Sequence, residues 1–211
     1  NDEQHYMVFV GDYFDRYDKN LEVLEFCELM IETLKERFIL IKGNHDEFII
    51  DFVQRLDDYH IGADLNEANF DLDRWLRNGG RITIEQLFGD VNGPYTKEKE
   101  LKKERLKKFT SHLVDYYETD HYIFVHTSID LNRNVDVWDR SFFHKGIQSH
   151  KTVVIGHTTY EYLENFNLIK KQNDNGNTFQ LAMSKNITLC PVLNIDNGEG
   201  DNIVILYEHL V

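Results

Sequence analysis

The sequence is poor in cysteine and proline, and these shortages exclude several classes of protein. Its 211 residues include only two cysteines and two prolines. Cys27 and Cys190 are too few for a disulfide scaffold, and they form neither a paired metal-binding spacing nor a CxxC redox motif. With 12 glycines and no Pro- or Ser-rich stretch, the chain has no recognisable linker between independent domains. We therefore expect a single domain over residues 1–211.

Long apolar runs and an excess of positive charge are also missing. No apolar run approaches the ~18 residues of a membrane-spanning helix, and the polar start NDEQHY is unlike a secretory leader. The 37 acidic and 23 basic side chains give a formal net charge of −14, which argues against a general nucleic-acid-binding surface. We expect a soluble, cytoplasmic protein that binds neither membranes nor nucleic acids in general.

What the sequence does have is material for a core, arranged in alternating strand and helix patterns. Hydrophobic residues make up 41% of the chain, which is typical of a globular protein. Short apolar runs predict strands at 7–10, 38–41, 122–125, 152–155, 192–195 and 203–207. Apolar spacing of three to four residues predicts helices at 21–34, 46–56, 72–76, 83–88 and 97–108, the last a solvated, charged helix without chemistry. This alternation predicts an α/β fold.

The turn after the first strand, GDYFDR, carries chemistry-bearing side chains. Asp12, Asp15 and Arg16 place two carboxylates and a guanidinium three to four residues apart, a combination suited to metal ligation and anion binding. An ordinary acidic turn, with Arg16 paired to its own neighbours, is the alternative interpretation.

The turn after the second strand, GNHD, offers a different set of ligands. Asn44 contributes an amide oxygen, His45 an imidazole and Asp46 a carboxylate. Asn and Asp are also common at helix starts, so Asp46 alternatively serves only as the N-cap of the following helix.

Two histidines, His126 and His157, follow later apolar runs. One such histidine is more often a partly buried residue with satisfied hydrogen bonds. Four strand ends that each present Asp, Asn or His are harder to ascribe to coincidence, because the carboxyl ends of parallel strands share one edge of a sheet. Asp12, Asn44, His126 and His157 are therefore predicted to converge on a metal. Their oxygen and nitrogen donors suit Mn, Fe or Zn, with affinity falling below pH ~6.5.

Taken in order, the motifs GDYFDR, GNHD, FVHTSI, GHT and NIDNG resemble those of the calcineurin-like metallophosphoesterases, and within them the phosphoprotein phosphatase branch. Trp75, the Asn-Gly-Gly at 78–80 and Thr83 are similar to a segment of the small bacterial and phage members. Those members include Ser/Thr protein phosphatases and symmetrical diadenosine tetraphosphatases. The resemblance implies a layered β-sandwich flanked by helices, with its N-terminal strand missing.

The resemblance also implies roles for individual residues. Asp12 would bridge two metals, and Asn44, His126 and His157 would complete the second metal site. His45 would be the general acid, Asp15 would orient the imidazole of His45, and Arg16 would bind phosphate. Arg140 is the candidate second phosphate arginine, with an ordinary surface arginine as the alternative. Residues 194–198 would be scaffold near the site.

Two departures from the family pattern lead to further expectations. No Asp-x-His pair precedes Met7, so the domain is expected to be N-terminally incomplete. Of the two divalent metal ions that the resemblance implies, only one would find a complete site, which leaves this chain weakly active or inactive. Thr127 and Ser128 replace small residues after the third motif, which we expect to lower activity modestly.

The resulting functional hypothesis is a metal-dependent phosphoester hydrolase, most similar to a Ser/Thr protein phosphatase, that uses metal-activated hydroxide and His45. The first alternative is a symmetrical bis(5'-nucleosyl)-tetraphosphatase, and the second is a catalytically impaired phospho-binding protein. The expected partners are a phosphoprotein or a phosphorylated small molecule.

Overall fold

The computed structural model describes residues 5–65, 72–141, 149–159 and 192–195 in full, and 166–172 and 178–184 as backbone strands. It has the predicted α/β fold, with parallel and mixed sheets accompanied by helices. The chain forms two compact units. The first comprises residues 1–7, 12–40 and 44–113, and the second comprises 8–11, 41–43 and 114–211. The single domain over 1–211 stays a prediction.

All five predicted helices are confirmed, with small shifts of their ends. They are α1 (Asn20–Leu34), α2 (Asn44–Leu56), α3 (Asp73–Arg77), α4 (Gly80–Leu87) and α5 (Lys97–Thr110). A short 3₁₀ turn, Lys35–Arg37, follows α1. Helix α5 begins where the Thr96 side chain accepts a hydrogen bond from the Lys99 backbone N–H. In the described part of the chain, no helix combines the length and the apolar composition needed to cross a membrane.

Five predicted strands are confirmed to within one residue, among the eleven strands that the described residues form. The eleven strands are β1 (Met7–Phe9), β2 (Phe38–Ile41), β3 (Leu113–Val114), β4 (Tyr116–Glu118), β5 (Tyr122–Val125), β6 (Ser128–Ile129), β7 (Val135–Asp136), β8 (Thr152–Ile155), β9 (Phe166–Gln172), β10 (Thr178–Ser184) and β11 (Val192–Asn194). The strand predicted at 203–207 lies outside the described residues. The antiparallel pair β9 and β10 was not predicted.

In the second unit, a four-stranded sheet has the order β11-β8-β5-β4. Strand β8 runs parallel to both β5 and β11, whereas β4 is antiparallel to β5. Ile123 and Val125 of β5 pack with Val153 and Ile155 of β8 in a buried core. Because β5 and β8 are parallel neighbours, the residues that follow them emerge at the same edge of the sheet.

In the first unit, aromatic side chains from several elements surround the residues that follow β1. Phe109 of α5 contacts the rings of Tyr13 and Phe14, with centroids 5.5 and 5.2 Å away. Trp75 of α3 is 3% exposed and packs on Phe52 of α2, with centroids 5.6 Å apart. The contacts of Phe109 fix the position of the turn after β1, and the contact with Phe52 fixes the position of the Trp75 indole.

Candidate metal centre and acid–base site

The ends of β1, β2 and β5 come together at Gly11. A Cβ atom at Gly11 would lie 2.6 Å from Nδ1 of His126 and 2.7 Å from the backbone nitrogen of Gly43, and the residue has φ +92°. Only glycine combines that backbone conformation with so close an approach. Since Asp12 and Asn44 are bonded directly to Gly11 and Gly43, the chain itself brings both residues to this place.

His126 and His157 form a hydrogen-bonded pair at the edge where β5 and β8 end. Nε2 of His126 lies 3.0 Å from Nδ1 of His157. Nδ1 of His126 is 2.6 Å from the carbonyl oxygen of Val10, which can only accept, so this nitrogen carries the proton. A backbone acceptor on one ring nitrogen fixes the tautomer so that the other, Nε2, presents a lone pair, which is the usual arrangement of a metal-ligating histidine. His126 is only 1% exposed, so its orientation is fixed by packing as well.

Asp12, His126 and His157 each offer one ligand atom, and these atoms lie within 4.8 Å of one another. One carboxylate oxygen and two imidazole nitrogens form a donor set suited to a divalent transition metal. The residues present therefore fit a divalent cation. Asn44, the fourth predicted ligand, is buried at the first position of α2, and its role as a ligand stays a prediction.

Asp46 has a role that the sequence interpretation did not assign. It lies at the third position of α2 and is not the N-cap that the alternative interpretation suggested. Its buried carboxylate accepts hydrogen bonds from the backbone N–H groups of Asp12, at 3.0 Å, and Tyr13, at 3.3 Å. Asp12 has φ +60°, a conformation uncommon outside glycine, so Asp46 holds a strained turn in place.

Asp15, His45 and Arg16 form a connected chain of hydrogen bonds, and their roles in catalysis stay predictions. Oδ2 of Asp15 lies 2.6 Å from Nδ1 of His45, with the two side chains 0% and 4% exposed. Nη2 of Arg16 lies 2.9 Å from Nε2 of His45. Arginine can only donate, so in this arrangement Nε2 accepts and Nδ1–H donates to the carboxylate. The backbone N–H of His45 donates to Oδ1 of Asp12 at 3.0 Å, which links the backbone at His45 to the carboxylate of a predicted metal ligand.

Two further side chains donate to the same carboxylate. Nε1–H of Trp75 lies 3.0 Å from Oδ1 and 2.9 Å from Oδ2 of Asp15, and the hydroxyl of Thr83 donates to Oδ1. Asn20 accepts from the backbone N–H of Asp15 at 2.9 Å. Trp75 and Thr83 entered the sequence analysis only as part of a family pattern, and the structure gives them a physical connection to the site.

The glycine pair at 79 and 80 fits the same arrangement. Gly79 has φ +102°, its carbonyl accepts from the backbone N–H of Arg16 at 3.4 Å, and a Cβ there would lie 2.8 Å from Cγ of Arg16. A Cβ at Gly80 would lie within 2.5 Å of several indole atoms of Trp75. Both glycines therefore permit close approach to residues that contact His45 or Asp15.

The segment that carries Arg140 is tied to the end of β5. The hydroxyl of Thr127 donates to the carbonyl of Asp136 at 2.6 Å, and that of Ser128 donates to Asp139 at 2.7 Å. Nε of Arg140 then reaches Nε2 of His157 at 3.1 Å. Both hydroxyls are hydrogen-bonded, and the expected modest loss of activity from these two residues stays a prediction.

The closing motif is described only in part. The side-chain amide of Asn194 in β11 donates to the carbonyl of Thr158 at 2.7 Å, which links the strand to the residue after His157. This contact agrees with a scaffold role for Asn194. Residues 196–198 lie outside the described part of the chain.

Comparison with known proteins agrees with this geometry at the level of a family. No curated protein sequence matches the chain. A model of the calcineurin-like phosphoesterase family matches residues 1–190 of the 211. Because this match covers most of the chain and contains all the predicted site residues, the protein belongs to the calcineurin-like phosphoesterase family.

Proposed function

We propose that the protein is a phosphomonoesterase of the phosphoprotein phosphatase branch that acts on phosphoserine and phosphothreonine. Its family implies metal-dependent phosphoester hydrolysis and generally binds divalent metals. The observation that carries the proposal is the hydrogen-bonded chain of the buried Asp15 and His45 with the exposed Arg16. The backbone N–H of His45 joins this chain to Asp12. A carboxylate-oriented imidazole beside a guanidinium is an arrangement for protonating the leaving group of a bound phosphoester.

Four residues would hold the metal in this proposal: Asp12, Asn44, His126 and His157. When bound, a divalent cation supplies charge neutralisation at phosphoryl oxygens and lowers the pKa of a water ligand. Manganese, iron and zinc all suit this donor set. The family resemblance implies two divalent cations, and this chain offers a complete set of ligands for only one of them.

His45 provides the proton for the leaving group. Asp15 accepts from Nδ1–H, which fixes the imidazole plane and aims Nε2 away from the carboxylate. Once Arg16 has turned from Nε2 to the substrate phosphate, Nε2 takes up a proton from solvent. The resulting imidazolium, paired with the Asp15 carboxylate, then delivers that proton to the departing oxygen. The alkoxide of serine or threonine is a poor leaving group, so protonation matters greatly for this substrate class.

Arg16 and Arg140 bind the phosphate. Both side chains are exposed, and each guanidinium lies against a site histidine, Arg16 at His45 and Arg140 at His157. Guanidinium groups bind phosphate oxygens through paired hydrogen bonds, which also orient the ester oxygen.

The test is hydrolysis by manganese-loaded protein of a phosphoserine peptide and, separately, of diadenosine tetraphosphate. Because only one metal site is complete, we expect weak turnover of the peptide, and a further decrease in kcat of ~10²–10⁴-fold in His45→Asn. His60→Asn is the matched control, because His60 is an exposed histidine of the same compact unit. A large preference for the nucleotide would instead identify a dinucleoside tetraphosphatase. Binding of the phosphopeptide without turnover would identify a phospho-binding protein.

A further inference from the structure

We propose that Trp75 and Thr83 are positioning residues for acid catalysis, which act through Asp15 on His45. The inference rests on the proposed function, since it assumes that His45 protonates the leaving group. It adds two residues from α3 and α4 whose effect on the reaction is indirect, because their contacts are with the carboxylate.

The argument begins with the number of donors that converge on one buried carboxylate. Oδ2 of Asp15 accepts from Nδ1 of His45, Oδ1 accepts from the Thr83 hydroxyl, and the Trp75 indole N–H lies within 3.0 Å of both oxygens. A carboxylate held by His45 alone would be free to turn about its Cβ–Cγ bond. Donors on both oxygens fix that rotation, and with it the direction in which Nε2 of His45 points.

The donors themselves are held rigidly. Trp75 stacks on Phe48, with an interplanar angle of 15°, and packs on Phe52. Thr83 is 1% exposed and lies in α4, whose first residue, Gly80, lies close against the Trp75 ring. Phe48 also meets the His45 ring edge-on at 5.9 Å. The imidazole, the carboxylate and both donors therefore sit in one packed cluster with little rotamer freedom.

A purely structural role for Trp75 and Thr83 makes a different prediction from a positioning role. Loss of structural support lowers activity on every substrate in proportion to the folded fraction. Misdirection of the general acid lowers kcat only where the leaving group needs a proton, and leaves KM nearly unchanged. The dependence of kcat on the leaving group therefore distinguishes the two roles.

The experiment compares phenyl phosphate, a poor leaving group, with 2,4-dinitrophenyl phosphate, a good one, using the manganese-loaded full chain. Thr83→Val removes the hydroxyl while nearly keeping the shape of the side chain, and Thr83→Ser restores it. We expect Thr83→Val to lower kcat on phenyl phosphate by roughly 10- to 100-fold, within the range of acid catalysis, and to leave 2,4-dinitrophenyl phosphate within about twofold. Thr83→Ser should recover most of the loss.

Trp75→Phe provides a second variant, because it removes the N–H but keeps an aromatic ring. We expect the same dependence on the leaving group. Thr110→Val is the matched control, since Thr110 donates only to the Lys107 carbonyl in α5. A Tm measured for each variant gives the folded fraction at the assay temperature. Equal losses on both substrates, or no loss in either variant, would overturn the proposal.

His45→Asn separates this proposal from the proposed function. If His45→Asn loses activity mainly on phenyl phosphate and Thr83→Val does not, only the positioning role fails. If His45→Asn shows no dependence on the leaving group, acid catalysis by His45 fails, and the positioning role fails with it.

Discussion

Asp46→Asn tests whether the turn after β1 must be held in its strained conformation for the metal to bind. The Asp46 carboxylate accepts from the backbone N–H groups of Asp12 and Tyr13 with its two oxygens. Asparagine keeps one acceptor and presents an NH₂ donor in place of the other, so one buried N–H loses its partner. Such a loss costs about 1–3 kcal/mol. The left-handed conformation of Asp12 adds a cost of similar size, and the turn then relaxes more readily.

If that free energy is lost from the metal-competent conformation, affinity falls by a calculable factor. At 1.4 kcal/mol for each tenfold change, about 1–3 kcal/mol corresponds to a dissociation constant roughly 5- to 150-fold higher. The assay is calorimetric titration of the metal-free protein with Mn²⁺, at a temperature where both proteins are folded. Asp51→Asn is the matched control, because the exposed Asp51 lies in the same helix and pairs with the partly exposed Arg55 one turn away. An unchanged dissociation constant in Asp46→Asn would refute the reasoning.

Three further predictions follow from burial, close contact and charge. Gly11→Ala should destabilise the protein by more than ~2 kcal/mol in urea unfolding and weaken Mn²⁺ binding, because the new methyl group would collide with His126 at a strained φ; equal stability would contradict the close approach. The Arg133 guanidinium and the Lys151 ammonium lower the pKa of Glu118 from 4.5 to about 2. Glu118 therefore stabilises the fold fully above pH 4.5 and loses this effect as pH falls towards 2, so Glu118→Gln should cost about 1 kcal/mol at pH 7 and progressively less below pH 4.5. Burial raises the pKa of the Cys27 thiol to about 12, so a thiol reagent at pH 8 should modify Cys27 only after unfolding.

The strands that position the histidines could be predicted because each is a short apolar run with a polar residue at its end. The predicted bounds of β2, β5 and β8 agree with the structure to the residue. Since β5 and β8 are parallel neighbours, the expectation that His126 and His157 would meet is also confirmed. In this part of the chain, the parallel direction of β5 and β8, which the α/β fold class led us to expect, brings both histidines to one edge of the sheet.

The antiparallel pair of β9 and β10 was missed although one of the two strands has a clear period. In TFQLAMS the apolar Phe, Leu and Met occupy alternate positions, which is a strand pattern that was overlooked, whereas β9 has no clear period. In FNLIKKQ the apolar residues stand at positions one, three and four, which fits neither strict alternation nor a continuous buried strand. The two-residue strands β6 and β7 are too short to show any period. Their pairing depends on tertiary contacts, and propensity carries little information over so few residues.

The contacts made by Asp46, Trp75 and Thr83 were missed for a different reason. Asp46 looked like an N-cap because acidic residues favour the first turn of a helix whatever they contact. Its actual partner, the backbone of Asp12, lies 34 residues away in the chain. The donors to Asp15 lie 60 and 68 residues away. Contacts of this kind depend on rotamers and helix positions that no local pattern encodes. The family motif pointed to Trp75 and Thr83 as residue types but did not indicate which side chain they contact.

Several residues of the predicted site have a strained backbone conformation. Four of the six non-glycine residues with positive φ in the described part of the chain belong to the predicted site, namely Asp12, Asp15, Arg16 and His157; the other two are Lys35 and Arg133. Each such conformation costs of order 1–3 kcal/mol and persists only where the surroundings hold it. Asp46 accepts a hydrogen bond from the backbone N–H of Asp12, and Asn20 accepts one from that of Asp15. These bonds stabilise the strained conformations of Asp12 and Asp15. Site chemistry and backbone strain thus coincide at the strand ends, because side chains that must converge there cannot all do so from relaxed backbone.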